Sequence, residues 1–375
     1  MMTGVRQSMK RMLPLILSAG LAAATVSEAV AEPHILIDMK TGRVIEHEAA
    51  FQKWYPASLT KLMTAYVAFR QIEAGRVSLS TPIVMSKRSS SQPASKMYLK
   101  PGDSMTLDDA LKILLVKSAN DIAYAIAENL GGSMENYVVM MNAEAARLGM
   151  ASTHYINPNG MPGDGQYTDA RDLALLAYTL RKEFPQYFGY FSIEGIQVGK
   201  KQVPNYNKLI GRFDGADGMK TGFICASGYN QVSSATRNGH QVLSVVLGSD
   251  SLVGRAELSA ALLEKGLAVN SNFGMTTLDR LKPYGETRDT VADISGQICG
   301  HKDNKKKVRS EGQDDAGPVK TVSPYLKPIG RPLALQVVTI TPAPKPDKGA
   351  KNDGGAGQGD DVTANVPIPQ PRPVN

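Results

Sequence analysis

The chain has 375 residues, 42% of them hydrophobic, and a formal net charge of +7. That length and apolar content allow one large core or two modest ones. The positive balance favours anionic surroundings, but no RNP, zinc-finger or helix-turn-helix pattern accompanies it, which excludes a nucleic-acid reader.

In chain order, the first segment reads as a targeting signal over 1–31. Arg6, Lys10 and Arg11 give a cationic start, Met12 to Val26 is apolar, and Ala29-Val30-Ala31 supplies a small-x-small cleavage site. The apolar run is shorter than the ~20 residues of a membrane span. Cleavage after Ala31 and export across a bacterial inner membrane into the periplasm are expected. From Ile35, "ILID" and "RVIEH" flank Lys40-Thr41-Gly42 as a hairpin. Ser58 to Glu73 carries apolar residues at helical spacing and is stopped by Gly75. Helices are predicted at Asp108 to Val116, Asp121 to Leu130, Met134 to Leu148 and Asp169 to Leu180, with "NPNGMPGDG" as a long turn. Strands follow at Phe191 to Val198, Tyr229 to Thr236 and Gln241 to Leu247, the last two joined through Asn238-Gly239. Arg255 to Leu267 is a closing helix. Strands from both chain ends around a helical insertion predict an α+β fold: an antiparallel β-sheet covered by helices, plus a mostly helical subdomain.

This domain is expected to span 33–270. Residues 271–341 are charged and poor in apolar side chains, and read as a weakly ordered region with one possible strand in "PLALQVVTI". Half of the 22 prolines lie beyond Gly317, and 342–375 read as a Pro/Gly-rich disordered tail. "KKKVR" reads as a solvated charge run. Cys225 and Cys299 are the only cysteines. Export permits a disulfide between them, and the sequence leaves a bridge and two free thiols equally open. No Cys/His cluster has metal-ligand spacing, so neither metal nor cofactor is expected.

Three short motifs bear on chemistry. In "PASLTKLMT", Ser58 and Lys61 stand three positions apart at a helix start, so they share a face. A serine is a poor nucleophile until a base takes its proton. Lysine can be that base only when neutral, which requires burial or a nearby cation to lower its ordinary pKa of about 10.4. The helix N-terminus favours a developing alkoxide. Ser-x-x-Lys arises by chance on the order of once in a chain this long, so alone it decides nothing. In "KSANDIAY", Ser118 and Asn120 could simply cap a helix. They could also relay a proton and hold both the lysine and a substrate carbonyl. Lys-Thr-Gly occurs twice. In the second copy, Lys220 would add charge near a substrate carboxylate, Thr221 would offer it a hydroxyl, and Gly222 would let a substrate backbone approach the strand. The first copy precedes Ser58 and fits a turn; the second comes last and opens a strand, so it is read as the working copy.

Ser-x-x-Lys, Ser-x-Asn and Lys-Thr-Gly in this order resemble the serine β-lactamase and penicillin-binding-protein superfamily. Longer stretches, among them "TGRVIEHEAAFQKWYPASLTKLMTAY" and "LKPGDSMTLDDALKILLVKSANDIAYAIAE", resemble low-molecular-mass penicillin-binding proteins that are D-alanyl-D-alanine carboxypeptidases, over roughly Ile35 to Leu267. The resemblance implies Ser58 as acylated nucleophile, Lys61 as its base, Ser118 as a second catalytic hydroxyl, and Asn120, Lys220, Thr221, Gly222, Phe223 and Arg255 as substrate-binding residues. The N–H groups of Ser58 and Phe223 would form an oxyanion hole. It also implies a peptidoglycan stem peptide ending in D-Ala-D-Ala as substrate and β-lactam antibiotics as inhibitors. Two departures stand out. Ala119 occupies a position that is Gly in many relatives, and 343–375 lack the apolar stripe of a membrane-lying helix, so a soluble periplasmic enzyme is expected. A D,D-endopeptidase uses the same residues and stays as an alternative, as does a non-catalytic penicillin binder. A class A β-lactamase is disfavoured because no Glu-x-x-Leu-Asn lies between Asn120 and Lys220.

Overall fold

The computed structural model describes residue 1 and residues 32–269, 276–300 and 322–344. The expected signal segment 2–31, the "KKKVR" run and the tail from 345 onward lie outside the described residues. No helix among the described residues is long and apolar enough to cross a membrane.

The chain begins with a hairpin of β1 (His34–Asp38) and β2 (Val44–Glu48), followed by a 3-10 turn Ala57–Leu59 and α1 (Thr60–Glu73). Then come β3 (Pro82–Val84), α2 (Lys87–Ser90), β4 (Ser104–Thr106), α3 (Leu107–Val116), α4 (Asn120–Gly131), α5 (Met134–Leu148) and α6 (Ala170–Glu183). The final part of the domain holds β5 (Gly195–Val198), β6 (Lys201–Pro204), β7 (Ala216–Ile224), β8 (Gly228–Arg237), β9 (His240–Ser249) and α7 (Leu252–Ala268). Beyond it lie α8 (Ser295–Cys299) and β10 (Leu335–Val338).

Five strands form an antiparallel sheet in the order β2-β1-β9-β8-β7, so both chain ends of the domain contribute, as expected. The period of two along a strand sorts side chains between two cores. Leu36, Val242 and Val246 face the cluster that includes Ala256, Ala260 and Leu263 of α7. Ile35, Ile37, Leu243, Val245 and Leu247 join the larger cluster with residues of α1, α3, α4 and α6. Asn238 and Gly239 both take positive φ (51° and 77°), the conformation a two-residue hairpin needs.

The run Phe191 to Val198 departs from its predicted strand. Pro185–Ser192 is a 3-10 turn, and only Gly195–Val198 is extended. Aromatic side chains favour strands, but here tertiary packing overrides that preference. Tyr187 stacks on Phe69 at 4.7 Å, and Phe188 and Phe191 are buried. The 271–341 stretch contains packed parts. Leu278, Ile294, Ile298, Leu326 and Val338 are all buried. Within "PLALQVVTI", β10 pairs in parallel with β5. Cys225 and Cys299 form a disulfide, Cα to Cα 5.7 Å, which closes the question their sequence left open.

Candidate active site

Ser58 lies in the 3-10 turn that leads into α1, and Lys61 lies in the first turn of α1 with no solvent exposure. Ala57, just before the serine, holds φ at +47°. Lys61 Nζ lies 2.9 Å from Ser58 Oγ, 2.8 Å from Asn120 Oδ1 and 2.8 Å from the Asn159 carbonyl oxygen. The chemistry of these partners matters. The Asn120 amide is oriented by its own Nδ2, which donates to the Pro93 carbonyl at 3.0 Å. Two of the three partners can therefore only accept, and the hydroxyl of Ser58 can also donate. An unprotonated Lys61 would spend both hydrogens on the two carbonyls, and its lone pair would face Ser58 O–H. The arrangement can thus draw a proton from that serine.

Ser118 and Asn120 sit at the α3–α4 turn, where capping was the competing explanation. The cap position of α4 is Ala119, and no side chain caps it. The polar groups on either side are spent elsewhere: Ser118 Oγ accepts from Lys220 Nζ at 2.8 Å, and Asn120 Oδ1 accepts from Lys61. Ser118 itself has φ +60°. The loop before α3 braces this turn. Asn120 N donates to the Ser95 carbonyl at 2.7 Å. The Asp121 carboxylate accepts from the backbone N–H of Met97 and Tyr98. Burial raises the pKa of Asp121, opposed by the backbone donors of Met97, Ile122 and Tyr98.

Lys220 and Thr221 are both 1% exposed on β7. Lys220 Nζ also reaches the Thr221 carbonyl at 2.9 Å. Thr221 Oγ1 finds no hydrogen-bond partner among the described residues. A buried, unsatisfied hydroxyl costs about 1–3 kcal/mol and calls for an explanation; a bound carboxylate would supply the missing partner. Gly222 has a reason to be glycine that differs from room for substrate. A Cβ there would lie 3.1 Å from the Pro56 carbonyl oxygen, 3.1 Å from Ser58 N and 3.2 Å from Leu59 N, so β7 abuts the turn that carries Ser58. Phe223 follows on β7, its ring 4.2 Å from that of Tyr229. Arg255, 1% exposed on α7, donates to the carbonyls of Gly222 (3.2 Å) and Asn230 (3.3 Å).

The first Lys-Thr-Gly is a turn. Asp38 Oδ1 accepts from Thr41 N and Oγ1, and Gly42 has φ +69°. Asn159 went unrecognised in the sequence. "NPNG" carried only a turn signal, and nothing local marks one of its carbonyls as a lysine partner. Its neighbour Gly160 packs so closely that a Cβ would lie 1.8 Å from the Ala57 carbonyl oxygen.

A family model described as D-alanyl-D-alanine carboxypeptidase matches residues 21–251. Arg255 lies just beyond that stretch. The chain is 36% identical over 222 residues to the D-alanyl-D-alanine carboxypeptidase DacC of Escherichia coli; the match covers 57% of this chain and 56% of that protein. It thus spans little more than half the length of that curated relative. Among solved structures, the D-alanyl-D-alanine carboxypeptidase DacD of Francisella tularensis aligns with a TM-score of 0.61 at 32% identity, covering 63% of this chain and 70% of that one. Penicillin-Binding Protein D2 of Listeria monocytogenes in the cefotaxime-bound form aligns with a TM-score of 0.58 at 27% identity, covering 63% and 96%.

Proposed function

Because the chain belongs to the D-alanyl-D-alanine carboxypeptidase family, we propose that it removes the terminal D-alanine from peptidoglycan stem pentapeptides through an acyl-enzyme on Ser58. The observation that carries this reading is the placement of Lys61 Nζ: one partner that can give a proton, Ser58, and two that can only accept. Ser58 Oγ attacks the carbonyl of the penultimate D-alanine while its proton passes to Lys61. The oxyanion is held by the N–H groups of Ser58 and Phe223; each such donor is worth on the order of 10²–10³ in rate. The close seat of Gly222 on the Ser58 turn supports that pairing. As the peptide C–N bond breaks, Lys61 gives up that proton, which is relayed through the Ser118 hydroxyl, held by Lys220, to the leaving nitrogen, and Lys61 is neutral again. D-alanine departs, and water, deprotonated by the same Lys61, attacks the ester; as the acyl–oxygen bond breaks, Lys61 returns the proton to Ser58 Oγ and the shortened peptide is freed. Net, one water is consumed.

The substrate's terminal carboxylate meets Thr221 Oγ1 and the charge of Lys220, with Arg255, bonded to the Gly222 carbonyl, adding positive potential. β-Lactams acylate Ser58 in the same way and leave slowly. Residues 33–270 carry the peptidase. The chain works in the periplasm after export by its first 31 residues. The test is to incubate the mature chain with a stem pentapeptide and, separately, with cross-linked dimer. Release of D-alanine by the wild type and not by Ser58→Ala is the expected result. Cleavage of dimer alone would reassign the chain as an endopeptidase.

A further inference from the structure

After α7 the chain returns as a strap, 276–300, and its contacts follow one route. Val44 N donates to the Thr276 carbonyl (2.9 Å) and Leu278 N to the Gly42 carbonyl (3.0 Å). The Tyr284 hydroxyl accepts from Ala50 N at 3.0 Å and meets His47 Nδ1 at 2.8 Å. Lys53 N donates to the Arg288 carbonyl and Ala292 N to the Lys53 carbonyl, both at 3.0 Å. Ile294 N then donates to the Ala226 carbonyl, and Cys299 closes on Cys225. The first end of this strap holds the β1–β2 hairpin at 42–44, and its middle, 284–292, grips Ala50 and Lys53 in the segment that runs into Ser58. The other end grips the turn that ends β7, two residues after Phe223.

Trp54 joins these two regions. It is 1% exposed, and its Nε1 donates to the Ser227 carbonyl at 2.9 Å. Asn230 Nδ2 adds a bond to the Tyr55 carbonyl at 3.0 Å. The strap and Trp54 therefore tie the approach to the nucleophile to the far end of the Lys-Thr-Gly strand. The bridge is the one covalent part of that tie, and it spans a sequence separation of 74. Both cysteines are half-buried.

We propose that the Cys225–Cys299 disulfide is a redox-sensitive latch: closed, it holds the Ser58 turn against the end of β7, and its reduction slows acylation. The proposal rests on Ser58 being the nucleophile. A dithiol is the reductant. One of its thiolates attacks a bridge sulfur to give a mixed disulfide, and its second thiol displaces the protein sulfur. Each cysteine gains one electron and one proton, and the dithiol leaves as its own disulfide. Cys225 and Cys299 are positioning residues, since neither touches the reacting atoms. After reduction, the Ile294–Ala226 hydrogen bond and the buried Ile298 still seat the strap, so the domain loosens at this edge and does not unfold.

The experiment uses the full mature chain, oxidised and dithiol-reduced, with the two thiols counted by a colorimetric reagent. Acylation is followed with a fluorescent penicillin over a range of concentrations. Trp54, the single tryptophan, reports on the strap through its emission. Reduction is expected to lower the limiting acylation rate about tenfold, since reacting groups misplaced by 1 Å cost about 10²-fold. The apparent affinity should stay unchanged, Trp54 emission should shift to the red, and both changes should reverse on reoxidation. Cys299→Ser should show the slow rate in either state. A reduced, folded chain that acylates within twofold of the oxidised one overturns the latch. If the oxidised chain is neither acylated nor releases D-alanine, the Ser58 reading fails, and the latch, which rests on it, falls with it; an oxidised chain that reacts while reduction changes nothing loses the latch alone. Should reduction unfold the chain, Tyr284→Phe in the oxidised protein decides. It loosens the strap where it grips Ala50, so slower acylation at unchanged helix content supports the latch, and an unchanged rate overturns it.

Discussion

A single methyl group at Gly222 would strike the turn that carries Ser58. In Gly222→Ala the new Cβ meets the Pro56 carbonyl oxygen and Ser58 N at 3.1 Å and Leu59 N at 3.2 Å, where ordinary contact begins at 3.4 Å. The turn and β7 must separate by 3.4 − 3.1, about 0.3 Å. All three atoms are backbone, so none can rotate aside. A 1 Å misplacement costs about 10²-fold in rate, or about 2.7 kcal/mol, so a proportionate 0.3 Å costs about 0.8 kcal/mol, about fourfold. If the shift also tilts Ser58 N–H out of the proposed oxyanion hole, the loss rises toward about 10²-fold. The stability cost of such overpacking is about 1–3 kcal/mol against a total of about 5–15, so the variant stays folded. The assay pairs the second-order acylation rate by fluorescent penicillin with a thermal melt. A fall of between about fourfold and 10²-fold with a modest drop in melting temperature is expected. A variant that acylates within twofold of the wild type would refute the claim that strand and nucleophile turn are held in functional contact at this glycine.

Two further substitutions probe the base and the domain's pH dependence. Lys61→Arg keeps a positive charge but has no lone pair to offer, and its planar fork cannot send donors to the three convergent partners of Lys61. Acylation should fall by about 10²–10⁴-fold, as for loss of a general base, and a rate within tenfold of wild type would remove Lys61 from that role. Asp169 caps α6, its Oδ1 accepting from Asp172 N at 2.7 Å, and burial and then the Asp172 carboxylate hold its pKa well above the ordinary range. A raised carboxyl pKa means the folded state binds the proton more tightly than the unfolded chain. This group's contribution to stability is therefore fully present below the ordinary aspartate pKa and is lost as pH rises through the folded value. Asp169→Asn keeps the capping oxygen and removes the charge. It should raise the melting temperature at pH 7–8 and flatten the decline from mildly acidic pH; a lower melting temperature at pH 8 would contradict this.

Local signals were enough to read the longer helices, α1 and α3 to α7, but not the short α2 and α8. Met134 to Leu148 matches α5 at both ends, because Ser133 caps it and Gly149 ends it in a left-handed turn. The Asn238-Gly239 hairpin was legible for the same reason. The motifs that bear on chemistry were legible because their spacing is short and ordered. What stayed hidden depends on contacts between distant residues. Asn159 reaches Lys61 across 98 positions, and no propensity encodes that meeting. The strap 276–300 has few apolar residues, so composition reads it as loose. Its order comes from backbone hydrogen bonds to earlier loops and from a few buried side chains such as Leu278, Ile294 and Ile298. Gly222 was legible as a glycine with a purpose, but which backbone crowds it is a fact of tertiary structure.

The two serines share a feature that ties backbone to chemistry. Ala57 precedes Ser58 at φ +47°, and Ser118 itself sits at φ +60°. Neither is glycine, and such conformations cost of order 1–3 kcal/mol each, so the surrounding structure must hold them in place. Around Ser58 that structure is Gly160 pressed on the Ala57 carbonyl from one side and Gly222 on the serine nitrogen from the other. Around Ser118 it is the Lys220 bond and the Asp121-clamped loop. In each case the left-handed residue, Ala57 before Ser58 or Ser118 itself, sets a serine hydroxyl at the start of a helix while the cap position is left without a capping side chain. The strain is thus stored where a hydroxyl must face a lysine and not its own backbone. Relief of either constraint would let the serine fall back to capping its helix, which is the more common fate of that residue type.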